Sequence, residues 1–316
     1  MTARTRFSAV FLALALSLGV AIAARGAQAF IIVDSKSGYV LQEREAKQKK
    51  QVGSLTKVAT AMVVLDWAEK KGGDLGQIAT VPPEAFVGIS ENNIGLQPGD
   101  TMTLRDLMYA ALVQSDNVAA YTLANHVGNA LRSIVPSAGN GSAVVMFVSQ
   151  MNALAKNLGM ARTLFVNPHG GDANLKPVPY STAMDMARLT RYAMSKAGFR
   201  FYVSQKERQI SYNRSGTQKD YMLRNTNELL GAEGVDGVKT GRTARAGDCL
   251  ILSAQREAEV IKNGPTSATV IPRQLIVVLL GSADRFGEGR GLLAQGWQLY
   301  EQWAAGGRMV DPKKVL

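Results

Sequence analysis

Gly53-Ser54-Leu55-Thr56-Lys57 sets a hydroxyl and an amine three residues apart, where a helix running from Leu55 to Glu69 should begin. Three residues along a helix is about 300° of rotation, so Ser54 and Lys57 share a face. A serine hydroxyl is a poor nucleophile until an adjacent base removes its proton. Lysine can be that base only when neutral, a state that burial or a neighbouring cation promotes. At a helix start, Ser54 also meets free N–H groups and the positive end of the dipole. Serine is equally a good helix cap, so the pair alone fits a capped helix as well as it fits chemistry.

Two further clusters carry suitable groups. In Ser115-Asp116-Asn117, between two helical segments, the hydroxyl can relay a proton and the amide can hold a lysine or a carbonyl. The same three residues suit a helix break and cap. Lys239-Thr240-Gly241 precedes a strand-like run. There a lysine and a hydroxyl can hold a carboxylate, while a glycine lets a substrate approach the backbone. A turn beside an edge strand explains it equally well.

The elements that must position these groups follow from periodicity. Phe30 to Val33 and Tyr39 to Leu41 flank Asp34-Ser35-Lys36-Ser37-Gly38, a hairpin signal. Cys249 to Ala254 and Leu275 to Leu280 are apolar runs suited to a sheet covered by helices, joined by a long exposed loop with Gly264, Pro265 and Pro272. The middle reads as mainly helical. Leu55 to Glu69 is apolar on most sides and so buried. Thr103 with Asp106 forms a capping box for a helix through Leu112. Val144, Phe147, Val148, Met151, Leu154 and Leu158 keep helical spacing, and another helix runs from about Thr182 to Ser195. Leu293, Trp297, Tyr300 and Trp303 line one side of a last helix expected to pack on the terminal sheet. The expectation is an α/β chain of the α+β type, with an antiparallel sheet formed by both chain ends, flanking helices and a helical subdomain.

Composition narrows the class. The chain has 316 residues, 46% of them hydrophobic and 19% charged, which suits one sizeable globular unit rather than disorder. Arg4 and Arg6, an apolar run from Phe7 to Ala24, and Ala27-Gln28-Ala29 read as a cleaved export signal covering residues 1–29. The reading places the mature chain, a catalytic domain over 30–306 with a short tail, in the periplasm or otherwise outside the cytoplasm. Cleavage removes three arginines and no acid, so the net charge of +11 becomes +8. That charge suits docking on anionic wall polymer or lipid headgroups. No stretch interleaves basic and aromatic residues as nucleic-acid binding needs. Cys249, the one cysteine, sits in a strand pattern as a small hydrophobe. With two histidines, His126 and His169, no zinc-ligand cluster is available and no cofactor is expected. His126 reads as structural and His169 as a turn residue near the cleft.

S-x-x-K, S-D-N and K-T-G together, in this order, are the set found in penicillin-binding proteins and class A β-lactamases. The chain resembles the low-molecular-mass penicillin-binding proteins, the serine D-alanyl-D-alanine carboxypeptidases, over nearly all of 30–306. The likeness includes Gly95-Leu96-Gln97-Pro98-Gly99-Asp100, Asn167-Pro168-His169-Gly170 and Val235-Asp236-Gly237-Val238-Lys239-Thr240-Gly241. It implies the penicillin-binding/β-lactamase-like fold, peptidoglycan stem peptides as substrate and β-lactam antibiotics as covalent inhibitors. It further implies Ser54 as nucleophile, Lys57 as base and Ser115 as proton relay. Asn117, Lys239, Thr240, Gly241 and Arg242 would bind substrate, with the oxyanion between the N–H groups of Ser54 and Arg242. Arginine at 242 stands where relatives often have histidine, and Asp116 where glycine is frequent; both bear on substrate preference. The β-rich carboxy-terminal domain and anchoring helix of many relatives are not expected here. The rival readings are a D-alanyl endopeptidase cutting cross-links, a β-lactamase, and a non-catalytic β-lactam or wall-binding module. β-Lactamase chemistry needs a carboxylate to activate the deacylating water, from a Glu-x-x-Leu-Asn stretch between the second and third motifs, and Glu207, Glu228 and Glu233 do not lie in such a setting.

Overall fold

Strands β1 (Ala29–Asp34) and β2 (Val40–Arg44) form the first hairpin, its turn held by Asp34, which accepts hydrogen bonds from the Ser37 amide at 2.7 Å and hydroxyl at 2.6 Å. The structure, a computed structural model, describes residues 26–88, 91–134, 141–264 and 266–316. The export signal therefore lies outside the described residues up to position 25; Ala27 and Ala29 are buried, and Ala29 opens β1.

A 3-10 turn at Gly53–Thr56 leads into helix α1 (Lys57–Lys71). Short strands β3 (Ile78–Thr80) and β4 (Thr101–Thr103) precede helices α2 (Leu104–Leu112), α3 (Asn117–Ile134), α4 (Ala143–Asn157) and α5 (Ala183–Ser195). Helix α6 (Ala197–Val203) and the hairpin β5 (Glu207–Arg214) and β6 (Thr217–Arg224) follow. Strands β7 (Val235–Thr243), β8 (Gly247–Lys262) and β9 (Ala268–Ser282) and helix α7 (Arg285–Ala305) complete the main elements.

The five-stranded antiparallel sheet has the order β2-β1-β9-β8-β7, so both ends of the described chain build it. Alternation divides its residues. Ile31, Val33, Ile251, Ile276 and Val278 face the helical core, while Ile32, Leu250, Leu252, Val277 and Leu279 pack against Leu293, Trp297 and Tyr300 of α7. A sheet covered on both faces needs apolar residues at every position, which explains the unbroken runs in the sequence. Each fully buried aliphatic side chain contributes roughly 1.5–3 kcal/mol. Helix α1 is enclosed, with Val58, Ala59, Met62 and Val64 all at 0% exposure. The capping box at Thr103 is present, its hydroxyl accepting the Asp106 amide at 3.0 Å.

Two expectations are corrected. The segment with Gly264 and Pro272 is not a loop throughout, because β8 and β9 run on as a ribbon in which Glu259 pairs with Ile271 and Lys262 with Ala268. Beyond Ala254 and Leu275 the outer partners have ended, so Pro272 lies where strands have a free edge that tolerates a missing N–H. Pro265 lies outside the described residues. The middle is also less helical than expected: β3, β4, β5 and β6 form a second, four-stranded sheet. Its β5–β6 hairpin closes through Ser215 and Gly216, both at positive φ, as a two-residue loop requires.

The second sheet anchors the loop 91–100. Arg214 donates to both carboxylate oxygens of Asp100, at 2.9 and 2.7 Å, and to the Gly95 carbonyl at 2.7 Å. No helix among the described residues is long and apolar enough to cross a membrane.

Candidate active site

The Gly53–Thr56 turn and the first residue of α1 place Ser54 and Lys57 side by side. Lys57 Nζ donates to Ser54 Oγ at 2.8 Å, to Asn117 Oδ1 at 2.6 Å and to the His169 carbonyl at 3.1 Å, with Ser115 Oγ at 3.5 Å. The amine is fully buried, and loss of solvation lowers its pKa from 10.5 to about 8, against the opposing charges of Glu91 and Asp116. Ser54 keeps 8% of its surface exposed.

Ser115 adopts a left-handed φ of 66°, rare for serine, which turns the chain between α2 and α3. Asp116 holds that turn. It is fully buried, caps α3 by accepting the Ala119 amide at 2.8 Å, and accepts the Ile94 amide at 3.1 Å. The Ser115-Asp116-Asn117 segment thus caps α3 while setting Ser115 and Asn117 against Lys57.

The carbonyl on Lys57 comes from a third segment. Asn167 Oδ1 accepts the amides of His169 at 3.2 Å and Gly170 at 2.7 Å, and its Nδ2 donates to Gly171 at 2.7 Å. Thr60, one turn along from Lys57, donates to the Pro168 carbonyl at 2.6 Å. Gly170, at φ 89°, lies so close to the Gly53 carbonyl that no β-carbon fits. The His169 ring is buried beside Lys57, which pushes its pKa down to about 3, and Nδ1 accepts the Gly171 amide at 3.1 Å, so the ring is neutral at physiological pH.

Strand β7 supplies the fourth side. A β-carbon on Gly241 would sit 2.7 Å from the Val52 carbonyl oxygen and 3.1 Å from the Ser54 amide, so the strand abuts the turn that carries Ser54. Thr240 Oγ1 shares a 2.6 Å hydrogen bond with Thr226 Oγ1. Lys239 is buried, and burial, then the charges of Lys57 and Arg285, hold its pKa well below the usual lysine range. Arg242 points outward, its Nε 3.2 Å from Asp248 Oδ1 and its side chain 76% exposed. All eight residues singled out from sequence therefore lie in or beside one region.

A cleft of about 930 Å³ opens there, walled by Glu91, Asn117, His169, Asp172, Arg242 and Thr243. Sequence reasoning missed several groups in and beside it. Arg285, at the start of α7, donates to the Gly241 carbonyl at 3.3 Å and lies 3.6 Å from Asp248. Asp172 accepts the Thr243 hydroxyl at 2.6 Å. Glu91 reaches Asn117 Nδ2 at 3.4 Å. Only His169 carried a signal, through its Asn-Pro-His-Gly setting, and it lines the cleft as well as forming a turn. Cys249 lies buried in β8, where burial raises its thiol pKa to about 11.

A serine hydroxyl against a buried amine, with a Lys-Thr-Gly strand beside it, is the arrangement that a serine nucleophile requires. The family model described as D-alanyl-D-alanine carboxypeptidase matches residues 19–263, and the chain belongs to that family. It is 32% identical over 285 residues to D-alanyl-D-alanine carboxypeptidase DacC of Escherichia coli, covering 87% of this chain and 62% of that protein. The chain thus spans about three fifths of that relative's length. The crystal structure of the Streptomyces K15 DD-transpeptidase superposes with a TM-score of 0.71 at 26% identity, covering 86% of this chain and 97% of that one. Penicillin-binding protein D2 of Listeria monocytogenes, in its ampicillin-bound form, gives 0.66 at 26% identity, with 86% and 97% covered.

Proposed function

We propose that this chain is a serine D-alanyl-D-alanine carboxypeptidase that trims peptidoglycan stem peptides through an acyl-enzyme at Ser54 and is acylated there by β-lactams. The observation that carries the reading is the 2.8 Å contact between Ser54 Oγ and a lysine amine whose pKa burial has lowered to about 8.

Neutral Lys57 takes the Ser54 proton as Oγ attacks the carbonyl of the penultimate D-alanine. General-base assistance of this kind is worth about 10²–10⁴-fold. The negative oxygen of the tetrahedral intermediate rests on the amides of Ser54 and Arg242, and one such donor contributes about 10²–10³-fold. The proton then moves from Lys57 through the Ser115 hydroxyl to the leaving amine, and D-alanine departs. Asn117 orients Lys57 and the substrate amide. Thr240 holds the terminal carboxylate, with the positive charge of Arg285 and of Lys239, once an anion offsets the desolvation of its amine. Gly241 keeps β7 close enough for the peptide to lie along it, and Arg242 edges the cleft. Water hydrolyses the acyl-enzyme.

Residues 30–306 would form the catalytic domain, exported by the preceding segment to the periplasm or another extracytoplasmic site. The test is incubation of the purified protein with a peptide ending in D-alanyl-D-alanine. Free D-alanine, absent with Ser54→Ala, is the expected product. Cleavage of a cross-linked dimer without D-alanine release assigns the endopeptidase reaction instead. A benzylpenicillin adduct that persists in Ser54→Ala rules out the nucleophile.

A further inference from the structure

Glu91 is a carboxylate of the cleft to which the mechanism above gives no role. It belongs to a loop stapled at three points: Ile94 by Asp116, Gly95 by Arg214, and Asp100 by the same arginine. Asn92 brackets that loop, donating to the Leu96 carbonyl at 2.7 Å and accepting its amide at 2.9 Å. The Glu91 backbone carbonyl accepts the Asn117 amide at 3.3 Å, and its Oε2 lies 3.4 Å from Asn117 Nδ2. The other end of that amide, Oδ1, accepts from Lys57 at 2.6 Å.

The amide of Asn117 is thus read from both ends. A carboxylate accepts only and an ammonium donates only. Between them the amide has one good orientation, nitrogen to Glu91 and oxygen to Lys57. Turned over, it would set two donors and two acceptors against each other. The charge of Glu91 also favours protonated Lys57 over neutral, more strongly than that of Asp116. The other charges around the amine are accounted for. Lys239 from β7 and Arg285 from α7 are cationic or cation-forming, and the His169 ring is neutral. Asp172 is bonded to Thr243 and Asp248 lies against Arg242 and Arg285 at the far wall, while Tyr121 lines the α3 side.

We propose that Glu91 is a positioning residue of the acyl-transfer centre: it fixes the Asn117 amide that holds Lys57, and its charge sets how readily Lys57 sheds its proton. The inference rests on the acyl-transfer reading of Ser54 and Lys57. It predicts an unusual outcome, because removing a carboxylate from the cleft should speed the reaction at acidic pH. Without that charge Lys57 is neutral at lower pH.

The experiment measures the rate of Ser54 acylation by benzylpenicillin, followed by mass spectrometry from pH 5.5 to 9.5. Wild type is compared with Glu91→Gln, Glu91→Asp and Glu91→Ala. Glutamine keeps an acceptor for Asn117 but loses the charge. Its midpoint should fall by roughly half to one pH unit, making acylation at pH 6, once the lower basicity of the amine is counted, roughly two- to threefold faster than wild type and no faster at pH 9. Aspartate should restore the wild-type midpoint. Alanine should shift the midpoint as glutamine does and lower the plateau as well, because Asn117 is freed. Every variant keeps the backbone bond to Asn117, so thermal stability should stay near wild type. A wild-type midpoint in Glu91→Gln, or a glutamine-like shift in Glu91→Asp, overturns the proposal while leaving Ser54 as nucleophile. A wild-type protein that forms no adduct, or an adduct surviving in Ser54→Ala, removes the acyl-transfer reading and this inference with it.

Discussion

Gly241 is the point where β7 rests on the turn carrying the nucleophile, and replacing it with alanine tests whether that contact sets the chemistry. The added β-carbon would lie 2.7 Å from the Val52 carbonyl oxygen and 3.1 Å from the amide nitrogens of Ser54 and Leu55. All three are backbone atoms, and the Leu55 amide already bonds the Val52 carbonyl at 3.2 Å, so no side chain can swing aside. Strand and turn must separate by roughly 0.5 Å to regain ordinary contact. Overpacking of this kind costs about 1–3 kcal/mol. The catalytic loss should be larger in proportion, since a misplacement of about 1 Å can cost about 10²-fold, and half that shift falls on the Ser54 amide itself. Gly241→Ala should therefore fold, melt a few degrees lower and acylate with benzylpenicillin at least tenfold more slowly. The control is Gly291→Ala in α7, where a β-carbon meets nothing within 4 Å. That change should leave acylation unaltered and stabilise by up to about 1 kcal/mol through helix propensity. Acylation rates by mass spectrometry and thermal melts read both. A Gly241→Ala protein acylating at the wild-type rate would show that the close approach of strand and turn does not position Ser54.

With the Lys57 pKa near 8, the neutral fraction rises from about 1% at pH 6 to about 50% at pH 8, so wild-type acylation should climb about fiftyfold over that range and level off above it; a flat profile contradicts the assignment, and Lys57→Ala should lose acylation by about 10²–10⁴-fold. The same depression has a stability sign. Between about 8 and 10.5 the unfolded chain holds the Lys57 proton and the folded chain does not, so the stability of wild type relative to Lys57→Met should rise with pH through that window by about 3 kcal/mol in chemical denaturation, the opposing contribution of the raised Cys249 thiol cancelling in the difference. Arg214→Ala leaves the buried Asp100 carboxylate without its cation and frees the Gly95 carbonyl; a lower unfolding midpoint is expected in denaturant titrations. Asp116→Ala removes the cap of α3 and the tie to Ile94, for about 1–3 kcal/mol in the same assay.

The main sheet was legible because burial on both faces writes itself as apolar runs, and Ile31, Leu250 and Val277 lie where those runs place them. Helix α2 was legible through its cap, Thr103 accepting the Asp106 amide, and Thr182, where the sequence starts the helix to Ser195, caps α5 in the same way. The second sheet was not. Its β5–β6 strands carry Glu207, Arg208, Gln209, Lys219 and Asp220 on exposed positions, so no apolar alternation marks them, and only the Ser215-Gly216 pair hints at a hairpin. For the site, local spacing exposed Ser54 with Lys57, and the three short clusters were visible as strings. Glu91, Asp172 and Arg285 belong to no string; the first two reach the cleft through a stapled loop and a turn, and Arg285 reaches the Gly241 carbonyl from the start of a helix far along the chain. Side chains that join a site only through tertiary packing leave no periodic trace in sequence.

Packing is also what turns Ser54-x-x-Lys57 from a common pattern into a reactive one. On an exposed helix, with an ordinary pKa of 10.5, the amine would be neutral about 0.03% of the time at pH 7; at about 8 the fraction is about 9%, roughly 300-fold more. A weaker base is a less effective one, and with a half-power dependence on basicity the depression forfeits about twentyfold of that gain. The net advantage at neutral pH is then roughly fifteenfold, and it comes from desolvation by the enclosed α1, not from the identity of either residue. Glu91 and Asp116 hold the value from falling further, to where the amine would be neutral but too weak to take a hydroxyl proton. Enclosure by the core and two nearby carboxylates therefore set opposing limits on one amine, and the proposed acyl transfer depends on the interval between them.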